Sequence, residues 1–106
     1  MKAAAANYDY ADPEALALSS GYRLYVEERD NHQIVSFFSN DGINWTREEG
    51  VRIPDSAFPD AVLLPDGRVR IYFQGFKAIN SAISNDDGLT LVREAGVRIP
   101  SGWHGE

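Results

Sequence analysis

The chain has no cysteine, a single methionine, and only ten Lys and Arg against sixteen Asp and Glu. Without cysteine there are no disulfides and no thiolate chemistry. The formal charge of -6 comes with no basic patch of the kind phosphate backbones require, which argues against nucleic-acid binding. No apolar run approaches the length of a membrane span. The start, Met1-Lys2-Ala3-Ala4, is too short and too weakly apolar for a signal peptide. The chain therefore reads as soluble, with no membrane partner, and nothing in it points to a compartment. His32 and His104 stand alone, without metal-ligand spacing, so neither a metal nor a cofactor is expected. No segment shows a helical pattern.

What is present is a tandem repeat. Ser39-Asn40-Asp41-Gly42-Ile43-Asn44-Trp45 returns, with one more residue before its glycine, as Ser84-Asn85-Asp86-Asp87-Gly88-Leu89-Thr90-Leu91. Gly50-Val51-Arg52-Ile53-Pro54 returns as Gly96-Val97-Arg98-Ile99-Pro100. Pro13 and Pro59, Gly21 and Gly67, and Ile53 and Ile99 are each 46 residues apart. Each copy reads as four short strands. In the first they are Asp12 to Leu18, Tyr22 to Val26, Gln33 to Phe38 and Trp45 to Ile53, with Glu27 to His32 as a polar loop. In the second they are Phe58 to Leu64, Arg68 to Phe73, Ile79 to Ile83 and Leu89 to Ile99, with Gln74 to Ala78 as the loop. Ser-Ser-Gly, Pro-Asp-Gly and Asn-Asp-Gly supply the turns. The units divide as a lead-in at 1–11, a first repeat at 12–54, a second at 55–100 and the entry to a third at 101–106.

Four strands at a period of 40–50 residues is the pattern of propeller blades. A sandwich or small barrel also accepts eight strands, but neither requires copies so alike. Leu24 and Val26 on one face of a strand and Tyr25 on the other, echoed by Ile71 and Phe73 against Tyr72, suit a sheet covered on both sides. The expected fold is all-β: two four-stranded antiparallel blades per chain, completed into a β-propeller by oligomerisation. Three copies would give six blades, and a homotrimer is the favoured assembly. A compact monomer with the sheets packed differently is the alternative.

Ser84, Asp86, Gly88 and Thr90 match the Asp-box of sialidase-like propellers, with Leu91 where that motif has Trp. The first copy keeps Trp45 but lacks a spacer and has Asn44 in place of Thr. Over residues 12–100 the order of strands and turns resembles glycoside-hydrolase propellers of the sialidase, arabinanase and fructosidase kinds. The resemblance implies a site on the face that carries the second-to-third-strand loops and the connections between blades. That face would hold Asp12, Glu14, Asp30, Asn31, His32 and Asp55 from the first repeat and the linking segment. From the second it would hold Phe58, Asp60, Phe76 and Lys77, followed by Trp103 and His104.

Glu14, Asp60 and Glu106 recur at 46-residue spacing and are the candidate catalytic acids. Crowded carboxylates push their pKa values apart, leaving one to donate a proton and one to accept it. The plainer reading is a solvated acid at each blade entrance, repeated because the blade was duplicated. Asp12, Asp30, His32, Phe58, Phe76, Lys77, Trp103 and His104 are the candidate ligand-binding set. Phe58, Phe76 and Trp103 either stack on sugar rings or plug blade junctions. Asp41 and Asp86 read as structural, each accepting local backbone N–H groups in its turn. Arg52 and Arg98 are expected to pair with Glu48 and Glu94. Three functions are in play: a self-assembling two-blade scaffold without catalysis, a glycan-binding propeller, and a glycoside hydrolase whose site forms at the assembled centre.

Overall fold

The computed structural model describes residues 9–100. These residues form eight strands in two antiparallel sheets, one per repeat. The first sheet is built in sequence order from β1 (Tyr10–Leu18), β2 (Gly21–Glu28), β3 (Gln33–Ser39) and β4 (Thr46–Arg47). The second follows the same order with β5 (Ala57–Leu63), β6 (Val69–Gly75), β7 (Ala78–Ser84) and β8 (Val92–Arg93). A 3-10 turn, Arg29–Asn31, links β2 to β3.

The sheets differ from the sequence reading at two places. The fourth strands were expected to run from Trp45 to Ile53 and from Leu89 to Ile99, yet each ladder lasts two residues and resumes as a lone bridge, Ile34 to Ile53 or Ile79 to Ile99. The interruption sits at Gly50 and Gly96, whose φ values of 87° and 78° turn the chain out of the extended region. The second strands are longer than expected. Glu27 and Glu28 belong to β2 and are buried, and Gln74 and Gly75 belong to β6. The β6–β7 loop shrinks to Phe76-Lys77, both at positive φ (54° and 62°), as a two-residue hairpin turn requires.

Cross-strand partners point to the same side of a sheet, so the register assigns the faces. Leu16, Tyr25, Ile34 and Ile53 of the first sheet pack against Ala61, Val69, Ile71, Phe73 and Ala82 of the second in one continuous core. Each large aliphatic or aromatic side chain fully buried here contributes about 1.5–3 kcal/mol. The sheets meet most closely at their first strands, β1 against β5.

Polar ties cross the same junction. The Tyr25 hydroxyl, fully buried, donates to the Gly88 carbonyl at 2.7 Å. Arg23 Nη1 donates to the Asp87 carbonyl, and Arg52 Nη1 to the Leu89 carbonyl at 2.6 Å. Arg93 returns the tie from the second sheet to the Pro54 carbonyl at 2.6 Å. Glu48 holds Arg23 in place through two parallel bonds of 2.9 and 2.8 Å, and accepts a third from the Ser36 hydroxyl at 2.6 Å. Burial raises the Glu48 carboxyl, but the bonds from Arg23 and Ser36 outweigh it and leave the pKa lowered. The expected pairing of Glu48 with Arg52 is thus replaced by Arg23, which shares a sheet face with Ser36 and Glu48. Arg52, beyond the Gly50 turn, caps backbone carbonyls instead. Glu94 likewise takes Arg70 rather than Arg98.

The second Ser-x-Asp turn supplies the carbonyls of Asp87, Gly88 and Leu89 that Arg23, Tyr25 and Arg52 use. In the first, Ser39 Oγ accepts from Gly42 N at 2.8 Å, and Asp41 Oδ1 accepts from Ile43 N and Asn44 N at 2.9 Å each. In the second, Ser84 Oγ accepts from Gly88 N and Asp86 Oδ1 from Thr90 N, both at 2.9 Å. Burial raises the Asp86 carboxyl, yet the hydrogen bonds it receives hold it down at about 2.

The Tyr25–Gly88 contact is testable by a double-mutant cycle. A Cβ on Gly88 would stand 1.9 Å from Tyr25 Oη, on a residue at φ +84°. Gly88→Ala should therefore cost about 2–5 kcal/mol, from left-handed strain plus overpacking. Tyr25→Phe alone should cost about 1–3 kcal/mol by orphaning the carbonyl. Urea unfolding of the double variant should show less than the summed loss, because removing Oη relieves the clash. Strictly additive losses would mean the two groups do not touch.

Candidate functional site

Three connections meet at one end of the sheets: the β2–β3 turn, the segment from β4 to β5, and the β6–β7 turn. Ser56 pins the middle one, its N–H donating to the His32 carbonyl at 2.9 Å and its hydroxyl to the Ile53 carbonyl at 2.7 Å. The result is an open cleft of about 230 Å³ lined by His32, Asp55, Ser56, Ala57, Gln74, Gly75, Phe76 and Lys77. Three sequence candidates, His32, Phe76 and Lys77, are thereby brought together. Asp55 joins them, while Ser56 and Gln74 were not anticipated.

The cleft is built on unusual backbone. His32, Asp55, Phe76 and Lys77 all have φ between 51° and 62°, a region that costs non-glycine residues of order 1–3 kcal/mol each. Phe76 is 78% exposed at the turn tip, with the Arg93 guanidinium 5.7 Å from its ring centroid. Lys77 and Gln74 supply donors, Asp55 and Gln74 supply acceptors, and Phe76 supplies an apolar plate. Such a surface can hydrogen-bond a polar ligand lying on an aromatic ring. It offers one carboxylate, whereas glycoside hydrolysis ordinarily works with two.

A second cluster lies where β1 and β5 both bulge, between Ala11 and Glu14 and between Ala57 and Asp60. Asp12 and Phe58 occupy equivalent positions in these bulges, at φ 54° and 55°. The buried Glu27 carboxyl faces the Asp12 side chain and the Phe58 backbone N–H, which act on its pKa in opposite directions. Burial first, then the Asp12 contact, pushes the Glu27 pKa up. In the second repeat Gln74 stands where Glu27 does, so this carboxyl pair belongs to one repeat only. Glu27 escaped the sequence reading because β2 was ended at Val26. The signal was there: Glu27 continues the alternating row Arg23, Tyr25, Glu27.

The other candidates are dispersed. Glu14 is half-buried on β1, across from Tyr25, and Asp60 is exposed on β5, across from Tyr72. They stand on separate sheets. Asp30 is exposed in the 3-10 turn. Phe58 is also exposed, so neither it nor Phe76 plugs the junction between the sheets. Trp103, His104 and Glu106 lie outside the described residues. Among the described residues, no three His, Asp or Glu converge as a metal site would need.

Compared with known proteins, the chain matches no protein-family model and no curated protein.

The Glu27 environment sets a pH dependence. Below the ordinary value of 4.5, Glu27 is protonated in both the folded and the unfolded chain. As pH rises through that value the unfolded chain ionises first, and stability falls until the folded carboxyl ionises as well. Glu27→Gln should therefore stabilise the fold at neutral pH and give no gain at pH 3. The amide can donate to Asp12 and accept from Phe58 N–H. Urea midpoints at the two pH values check this, and an equal effect at both would contradict it.

Proposed function

We propose that the chain is a two-blade section of a β-propeller that self-assembles into a closed ring and serves as a scaffold without catalysis of its own. The observation that carries this reading is the disposition of apolar surface. Two like sheets stack face to face, closest at their first strands, and each keeps an apolar outer face. On the second sheet that face exposes Val62, Val92 and Ile99, with Ile83 half-buried; on the first it exposes Tyr22, while Leu24 and Phe37 are half-buried and Val26 and Val35 are covered. Exposed apolar surface of this extent marks an interaction site on a soluble protein. Because the two outer faces are different surfaces, their joining is head-to-tail, and such an interface closes into a ring when its rotation allows.

A second reading, a glycan-binding propeller, is favoured by the junction cleft, where Phe76 stands beside Gln74, Lys77 and Asp55. The glycoside-hydrolase reading rests on Glu14, Asp60 and Glu106 converging in a closed ring, and no contact among the described residues favours it.

Light scattering or native mass spectrometry tests the scaffold reading. The expected result is the mass of three chains. A single-chain mass across the accessible concentration range would overturn self-assembly.

A further inference from the structure

The open face of the second sheet repeats the polar framework of the covered face of the first, position for position. Arg70 is held by Glu94 through bonds of 2.8 and 2.9 Å, and Ser81 donates to the same carboxylate at 2.7 Å. This duplicates the arrangement of Arg23, Glu48 and Ser36. Tyr72 takes the place of Tyr25, and Arg98, which caps the Ala95 carbonyl at 2.7 Å, the place of Arg52. The difference is the cover. Leu16 is 7% exposed and its counterpart Val62 39%; Ile53 is 2% exposed and Ile99 40%. Tyr25 is sealed, whereas Tyr72 is half-buried with its side chain against Arg70.

The surface that would complete this face is present on the same chain. The turn Ser39 to Asn44 shares with the turn Ser84 to Thr90 the serine bond to the glycine N–H and the serine–aspartate bond, with Gly42 at φ 80° against Gly88 at φ 84°. The first turn is one residue shorter before its glycine, so Asp87, at φ 62°, has no counterpart in it, while Asp41, Gly42 and Ile43 still stand in chain order about the glycine as Asp87, Gly88 and Leu89 do. The space above Gly88 is filled by the Tyr25 hydroxyl, 1.9 Å from where a Cβ would sit, while the nearest atom to the same point on Gly42 is Tyr22 Cε2, 3.7 Å away.

Side-chain volume is exchanged between the two faces. The junction within the chain sets Leu16 and Phe38 on one face and Val69 and Ala82 on the other. On the outer faces the equivalent positions are Val62 and Ile83 on the second sheet, and Tyr22 and Phe37 on the first. Bulk lost from one side is regained on the other, as close packing of a second copy requires.

We propose that a second copy of this chain docks head-to-tail on the open face of the second sheet. Tyr72, Arg70 and Arg98 of one copy then donate to the carbonyls of Gly42, Asp41 and Ile43 of the next. These bonds reproduce those from Tyr25, Arg23 and Arg52 to Gly88, Asp87 and Leu89 within the chain. This rests on the self-assembly reading above and specifies its interface.

The absence of native cysteine allows a direct test. Arg98→Cys and Ile43→Cys variants are mixed and treated with a short bismaleimide, alongside light scattering of the unmodified chain and of Tyr72→Phe. The mixture should give a covalent dimer that neither variant forms alone. Tyr72→Phe should raise the concentration for half-assembly about tenfold and leave the unfolding of the dissociated chain unchanged. Tyr25→Phe, in contrast, should lower the stability of the single chain. If the unmodified chain assembles, but the mixed variants do not cross-link and Tyr72→Phe assembles normally, this interface is wrong and self-assembly stands. If the unmodified chain is monomeric throughout, both are overturned.

Discussion

The hydrogen bond from the buried Tyr25 hydroxyl to the Gly88 carbonyl joins the middle of one repeat to the turn of the other, and much of the architecture serves it. A tyrosine buried at this depth needs an acceptor, because an unsatisfied hydroxyl in the interior costs more than the bond gains. The acceptor must reach into the junction, so the turn that carries it has no side chain at residue 88 and is held rigid by Ser84 and Asp86. Arg23 and Arg52 extend the same logic to the flanking carbonyls of Asp87 and Leu89. Glu48 keeps the Arg23 charge neutralised, since a lone guanidinium in that position would be expensive. The apolar side chains supply most of the driving force, and this set of polar ties fixes which face meets which.

The repeats are alike in this framework and differ at the cleft end. The bulge residue is Asp12 in one and Phe58 in the other, and the end of the second strand carries Glu27 in one and Gln74 in the other. The 3-10 turn of the first repeat is replaced in the second by a two-residue hairpin that displays Phe76 and Lys77. The repeats share the tyrosine and the Arg–Glu–Ser set that tie the sheets, while the loops at one end diverge into a cleft of mixed polarity. This is the usual division between a rigid scaffold and the loops it presents.

Much of the fold was legible because its signals are local and doubled. The alternation in Tyr22 to Val26 and Val69 to Phe73, and the Asp-Gly turns, marked the strands twice over. The fourth strands misled because Val51-Arg52-Ile53 and Val97-Arg98-Ile99 look like strand, while one glycine before each breaks the ladder and leaves a single bridge. Salt-bridge partners were misassigned for a related reason. Glu48 and Arg52 are close in sequence, but only a sheet register brings Arg23, 25 residues away, onto the same face. At the cleft, His32, Phe76 and Lys77 could be grouped from loop order alone. Gln74 and Glu27 could not, because their roles depend on where a strand ends, and polar residues at a strand end resemble a loop.

One surface exists twice in this chain, once covered and once open. Hydroxyl-radical footprinting of the tyrosines across a dilution series measures that directly. The account predicts that Tyr25 is protected at every concentration. Tyr72 and Tyr22 should be labelled in dilute solution and become protected together as concentration rises. Labelling of Tyr72 that stays constant with concentration, or protection of Tyr72 without Tyr22, would contradict it.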